Sequence, residues 1–194
     1  MPKTVDHDER RAQLTEATAR QIAGVGLERV RLRDVASAAG WTTGAVGHYF
    51  GDKRELLLAT FRSRTAMARA DVRRRIAAGE TELEAGIEAI LPLDEERTLT
   101  WKVWLAFWGA AVGDDELADE QRRRYELFRA GLERAVRAEQ AAGRIAIGVD
   151  AEHESRLLAT LVDGIAVQAL FAPEQWPPDV QRRVIADHLA SLTP

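Results

Sequence analysis

The chain has no cysteine among its 194 residues. Disulfide frameworks, thiolate metal sites and thiol nucleophiles are therefore excluded. No apolar run approaches the ~20 residues that a membrane-spanning helix needs. The N-terminal MPKTVDHDERR holds no hydrophobic leader core. A cytoplasmic protein with no membrane partner is expected. Strand signals are missing as well: no useful length of sequence alternates apolar and polar residues, and no internal repeat occurs. Histidine is sparse and scattered, at His7, His48, His153 and His188. HESR at 153–156 is not a helical zinc-protease motif, and no glycine-rich phosphate loop follows a strand. Catalytic residues, metal sites and cofactors are all expected to be absent, so the chain does not read as an enzyme.

What is present is one helix after another, giving an all-α fold of about nine helices. The first covers residues 8 to about 25, burying Leu14, Ala17, Thr18, Gln21, Ile22 and Val25, and ends at Gly24 and Gly26. Asp52 and Glu55 have the spacing of a capping box, opening a helix that runs to Ala78. At ~27 residues it would be roughly 40 Å long, a natural connector between the front of the molecule and the rest. Thr81 with Glu84 opens the next helix, which ends near Leu91–Pro92. Others follow from Asp94 or Glu95 through Gly113, from Asp115 to Ala142, from Asp150 to Phe171–Ala172, and from Pro177–Pro178 to near Leu192.

The most informative stretch is LRDVASAAGWTTGAVGHYF, Leu32 to Phe50. Leu32, Val35, Ala36 and Ala39 share one helical face, and Gly40 stands where that helix should stop in a left-handed conformation. Thr42 and Thr43 can cap a second helix whose apolar face is Ala45, Val46, Tyr49 and Phe50. Two helices crossing steeply through a turn of about 3–4 residues need a small residue at the crossing, a glycine at the corner and an apolar contact beyond it. Ala36, Gly40 and Val46 supply all three. This is the helix-turn-helix pattern, whose second helix enters the DNA major groove. The formal net charge of −4 conceals an asymmetry that suits DNA: residues 1–64 carry 11 Lys/Arg and 8 Asp/Glu, the remainder 16 and 23.

Residues Arg11 to Phe61 resemble the tetracycline-repressor (TetR) family of bacterial transcription regulators. The resemblance rests on Gly26, Val35–Ala36, Ala39–Gly40, Gly44, Tyr49–Phe50, Lys53, Leu56 and Leu57. GHYFGDK at 47–53, WLAFW at 104–108 and LVDGI at 161–165 resemble the BetI-like, choline-sensing branch. Gly47 stands where most members carry tyrosine, Trp41 where a small aliphatic residue is usual, and Arg31 where Ser or Thr is usual. The resemblance implies a helix-turn-helix domain over 8–67 and a regulatory, ligand-binding and dimerisation domain over 80–194. It also implies a homodimeric repressor of a double-stranded DNA operator, released by a small-molecule inducer; an activating or ligand-independent regulator is the alternative.

On the DNA side, Thr42, Thr43, Gly44, Gly47 and His48 should face outward. Threonine can meet base edges, phosphates or a thymine methyl, and glycine lets backbone approach the groove wall. His48 reads either as a donor to phosphate or guanine N7, or as an ordinary surface histidine. Tyr49 combines a packing ring with a hydroxyl that can reach phosphate. Lys53, at a helix N-terminus, is either a phosphate ligand or a solvated lysine. Arg31 and Arg33 can clamp the DNA backbone or simply dress their helix, and Trp41 is expected to pack over the corner. One short recognition helix buries too little for tight specific binding, since single modules cover ~600–1,000 Å². A dimer reading a palindrome is the physical remedy.

In the body, Trp101, Trp104, Leu105, Trp108 and Val112 follow one helical stripe. Such a stripe reads as core, or, with Phe107, as the wall of an inducer pocket suited to an apolar or cationic guest. In the resembled family the last two helices pair with their copies. Leu157, Leu161, Gly164 and Ile165, with Val184 and Leu189, are then the interface candidates. Asp163 reads either as a buried hydrogen-bonding residue or as a pocket group, with the structural reading preferred, and Arg122–Arg124 read as a solvated, salt-bridged surface.

Overall fold

Helix starts in this chain are written by short oxygen-bearing side chains. Thr42, Asp52, Thr81, Asp94, Asp114 and Asp150 each accept backbone N–H groups that a helix start leaves open. A computed structural model describes residues 7–194; residues 1–6, part of the N-terminal stretch inspected for a leader, lie outside the described residues. The elements are α1 (His7–Val25), a 3₁₀ turn (Leu27–Arg29), α2 (Leu32–Ala39), α3 (Thr43–Tyr49) and α4 (Lys53–Ala77). There follow α5 (Glu82–Glu88), α6 (Glu95–Ala111), α7 (Asp115–Ala141), α8 (Ala151–Phe171) and α9 (Pro178–Ala190). Among the described residues the regular structure is helical throughout, as the missing strand alternation requires.

Four local expectations need correction. Val25, at the last position of α1, is 42% exposed and not part of the buried stripe. The box at Asp52 is only half made: Asp52 accepts the Glu55 N–H at 2.7 Å, but the Glu55 carboxylate takes the Gly51 N–H at 2.9 Å instead of the cap's own. At Thr81 and Glu84 both bonds are present. Helix α5 stops at Glu88, short of Leu91. Val112 does not continue the tryptophan stripe, because α6 ends at Ala111 and leaves Val112 91% exposed.

One core runs from α1 to α9. Its centre lies where α4 and α6 meet: Phe61 stacks on Phe107 with centroids 3.9 Å apart, and Trp101 donates its indole N–H to the Ile90 carbonyl at 2.6 Å. Burying a large apolar side chain contributes about 1.5–3 kcal/mol, so this seam anchors the body to the connector.

Helix α4 is also tied by charge. Arg64, 1% exposed, bridges Glu16 on α1 and Glu96 on α6. Nearer the N-terminus of α4, Arg54 grips Asp114 with both arms at 2.7 and 2.8 Å and reaches Glu116 at 2.9 Å. Arg62 meets Glu120 at 2.8 Å. Hydrogen bonds from Arg54 hold the Asp114 carboxyl well below the usual range, and those from Arg62 lower Glu120 to about 2.

Arg64→Met is expected to cost about 2–3 kcal/mol in urea unfolding, because it leaves two carboxylates facing a buried gap; both are partly exposed, which keeps the loss below that of a fully buried pair. Glu120 contributes stability that is complete above its ordinary value of 4.5 and is lost as pH falls toward about 2. The stability gap between the native chain and Glu120→Gln, about 0.5–1 kcal/mol for a pair whose arginine is exposed and whose carboxylate is half-buried, should therefore close across that window in acid titration.

Candidate nucleic-acid interface and regulatory cavity

The corner between α2 and α3 is built as its glycine demands. Gly40 has φ 74° and ψ 26°, and Trp41 N–H reaches back to the Ala36 carbonyl at 2.8 Å, closing the helix with a left-handed residue. Val46 is fully buried under the crossing, next to Val35 and Ala36 in the core. The side chain of Thr42 accepts the Ala45 N–H at 3.2 Å and so is committed in part to capping α3.

This arrangement leaves Thr43, Gly44, Gly47 and His48 exposed along α3, with Thr42 beside them, Arg31 exposed just before α2 and Arg33 exposed in its first turn. Arg33 lies 3.4 Å from Asp34. A Cβ added at Gly47 would meet nothing within 4 Å, so the glycine bares its backbone to solvent without being required by packing. Tyr49 is half-buried and meets His48 edge-on at 5.5 Å. Lys53 turns its ammonium to the Glu28 carbonyl at 3.2 Å, tying the start of α4 to the 3₁₀ turn. Trp41 packs against the core, with the Arg10 guanidinium 4.4 Å above its ring.

Two residues important here carry no sequence motif. Arg11 donates to the Tyr49 carbonyl at 2.8 Å and lies 4.6 Å over the Phe50 ring, so α1 clamps the C-terminal end of α3. Arg124, read above as part of a solvated surface, is 6% exposed. Arg122 and Arg123 do pair on that surface, with Asp119 and Glu120. Helical spacing from Leu117 and Phe128, seven before and four after, was the available signal for turning Arg124 inward.

A cavity of about 390 Å³ opens between α4, α5 and α7. Its walls include Ala68, Val72 and Ile76 from α4, with Trp104 and Arg124 deeper in. Of the four aromatic pocket candidates only Trp104 lines this space. Trp101 and Phe107 are spent in the core, and Trp108 packs edge-on to Trp101 at 5.7 Å. Behind the cavity, Tyr125 donates to Asp163 at 2.6 Å. Burial raises the pKa of both groups, and their hydrogen bond raises that of the tyrosine further.

On α8, Leu157, Leu161, Gly164 and Phe171 fall on one outward stripe, with Leu157 42% and Phe171 77% exposed. Ile165 is 2% exposed and belongs to the chain's own core, whereas Val184 and Leu189 on α9 are half-buried.

A short exposed helix fixed by a glycine corner, joined through one long helix to a cavity-bearing body, defines the class: a helix-turn-helix regulator of transcription. Residues 14–60 match the family model described as bacterial regulatory proteins, tetR family. Residues 79–194 match that of the BetI-type transcriptional repressor, C-terminal. The chain belongs to the TetR family, as a DNA-binding repressor with a BetI-type C-terminal half. It is 33% identical over 204 residues to the regulator BetI of Burkholderia mallei, covering 99% of this chain and 97% of the relative. It is 30% identical over 198 residues to the regulator PksA of Bacillus subtilis, with 99% and 94% covered. Among solved structures, a transcriptional regulator from Rhodococcus sp. Rha1 superposes with TM-score 0.81 at 28% identity, over 94% of this chain and 95% of that one. The fold is also that of a Saccharomonospora viridis regulator solved in complex with choline, with TM-score 0.84, 24% identity, and 93% and 95% covered.

Gly47→Ala should raise stability by about 0.5–1 kcal/mol, since a helical alanine replaces glycine in open space. Chemical denaturation reads this directly, and an unchanged or lower midpoint would show that Gly47 is held by more than local helix propensity.

Proposed function

We propose that the chain works as a homodimer that occupies a palindromic operator and is released when a small molecule enters the α4–α5–α7 cavity. The observation that carries this reading is the double duty of α4. Its residues 65–76 wall the cavity, while Arg54, Arg62 and Arg64 lock its first half to the DNA-binding helices and the body. A ligand that prefers a different spacing of α4 and α7 must therefore bias the placement of α3. The division into a DNA-binding part, 8–67, and a regulatory part, 80–194, follows the same line.

In this reading Thr42, Thr43 and His48 meet base edges, while Gly44 and Gly47 let the backbone approach the groove. Arg31, Arg33, Tyr49 and Lys53 contact phosphate. Leu157, Leu161 and Gly164 of α8, with Val184 and Leu189 of α9, form the dimer seam. The supporting feature is the exposed apolar stripe on α8, which a partner's copy would cover; Ile165 supports that helix from inside.

The chain has no native cysteine, so Ser37→Cys, exposed on α2 and outside the proposed DNA contacts, gives one labelling site per subunit. Paired spin labels at residue 37 should show one distance on operator DNA selected from a random duplex pool and a longer or broader one with inducer. If neither spacing nor operator affinity responds to any cavity ligand, the ligand-independent alternative holds. Arg31→Ala should weaken binding almost uniformly across sequences and reduce the slope of log K against log salt by about 1. Leu157→Glu should shift sedimentation from dimer to monomer.

A further inference from the structure

We propose that the cavity takes an amphipathic organic carboxylate, with Arg124 as its head-group ligand, and that it rejects quaternary ammonium guests. The proposal rests on the cavity being the effector site of the preceding reading, and it narrows the chemistry of that effector.

The charge of the lining is one-sided. Arg69 and Arg73 from α4 and Arg124 and Arg134 from α7 face Glu82 alone. Most arginines in this chain are ion-paired. Among the described residues, those without a carboxylate partner gather in two places, Arg129 aside. Arg10, Arg11, Arg29 and Arg31 surround the helix-turn-helix, where DNA phosphate supplies the anion. Arg69, Arg73, Arg124 and Arg134 surround the cavity. The parallel is physical: in both places positive charge is left without an internal counterion.

Arg124 carries the argument furthest. It is 6% exposed, makes no hydrogen bond or ion pair, and has one guanidinium nitrogen buried with no partner. Leaving a cation in that condition is costly, and folded chains avoid it unless something else completes the site. The acid that acts on it from its inner side, Asp163, spends its carboxylate on the Tyr125 hydroxyl and makes no ion pair with it; burial raises the Asp163 pKa, while Tyr125 and Arg124 oppose that rise. The guanidinium lies 3.9 Å from the centroid of Trp104 and 5.5 Å from that of Tyr125, which fixes its plane. A carboxylate entering the cavity would find a preorganised cation, with Arg69 close enough to add to the positive field.

The same contact argues against a quaternary ammonium. Recognition of such a cation uses a cage of open aromatic faces; here Trp104 is already covered by an internal cation, which leaves Phe128 as the single uncovered aromatic ring in the lining. The remaining wall is apolar: Val72, Ile90 and Phe128 line it, and Ile76 and Leu127, 40% and 58% exposed, flank its mouth. A charged head with a hydrocarbon or aromatic body matches both halves.

The test uses the full-length protein and a panel of decanoate, 4-phenylbutyrate and indole-3-acetate, each beside its neutral amide, with choline as the cationic control. Calorimetry and tryptophan fluorescence measure binding without reference to DNA. At least one carboxylate should bind about tenfold or more tighter than its amide, with no saturable binding of choline. Arg124→Met should abolish that preference while the ligand-free protein melts at the same or a higher temperature, because removing an unpartnered buried cation relieves a cost. A lower melting temperature for Arg124→Met would make the arginine structural and overturn its assignment. Arg69→Gln, at the exposed rim, should reduce the preference several-fold with no change in melting, and an unchanged preference in that variant would overturn the assignment of the basic lining to anion binding. Equal binding of acid and amide, tighter binding of choline, or no binding across the panel would overturn the proposal. A carboxylate that binds as stated yet leaves operator affinity unchanged would keep the anion site and refute its role as the effector site.

Discussion

Almost everything in this molecule depends on one side chain that bridges three helices. Arg64 leaves α4 in the middle of its length and is enclosed by Glu16 of α1 and Glu96 of α6. A guanidinium sunk so far is stable only when its donors are met by acceptors in fixed positions, so α1, α4 and α6 cannot slide independently. The stacked pair Phe61–Phe107 lies on the same seam and adds apolar cohesion to directional charge. The DNA-binding helices are thus mounted on the body by a joint that charge orients and apolar stacking holds.

That joint divides the long helix into two working halves. Toward the N-terminus, Arg54 and Arg62 point to acids at the start of α7; toward the C-terminus, α4 faces a cavity whose opposite wall is α7 again. The same pair of helices therefore borders both the ion-paired region and the open space. A change in their spacing at one end is geometrically a change in tilt at the other, and the proposed ligand response rests on that geometry. The recognition corner itself is kept stiff by Arg11 at one end of α3 and Gly40 at the other, so it travels as a unit.

Charge is distributed with the same economy. The acidic body neutralises most of its arginines internally, leaving positive charge uncompensated at the exposed corner and at the cavity. The placement of the unpaired cations, more than the overall sign of the protein, separates two anion-seeking surfaces from an otherwise balanced exterior.

Helix number, the caps at Thr81, Asp94 and Asp150, the left-handed stop at Gly40 and the outward face of α3 were all legible in the sequence. Each depends on neighbours a few residues away: periodicity, capping and glycine conformation are local physics. The family was legible for the same reason, since its motif is a string of such local requirements. What depended on distant partners was not legible. Trp101 and Phe107 could not be assigned to core or cavity from a stripe both would share, and Ile165 could not be assigned to its own core or to a partner's. The half-made box at Asp52 turned on whether Glu55 found Gly51 first. Arg124 stood among arginines that read as surface, and only the packing of α7 against α6 turned it inward onto Trp104. The sequence by itself determined the helices, most of their starts and the glycine corner between α2 and α3; the tertiary structure alone decided where α5 and α6 stopped, which charges were buried and what they faced, because burial is set by elements that meet in space and not along the chain.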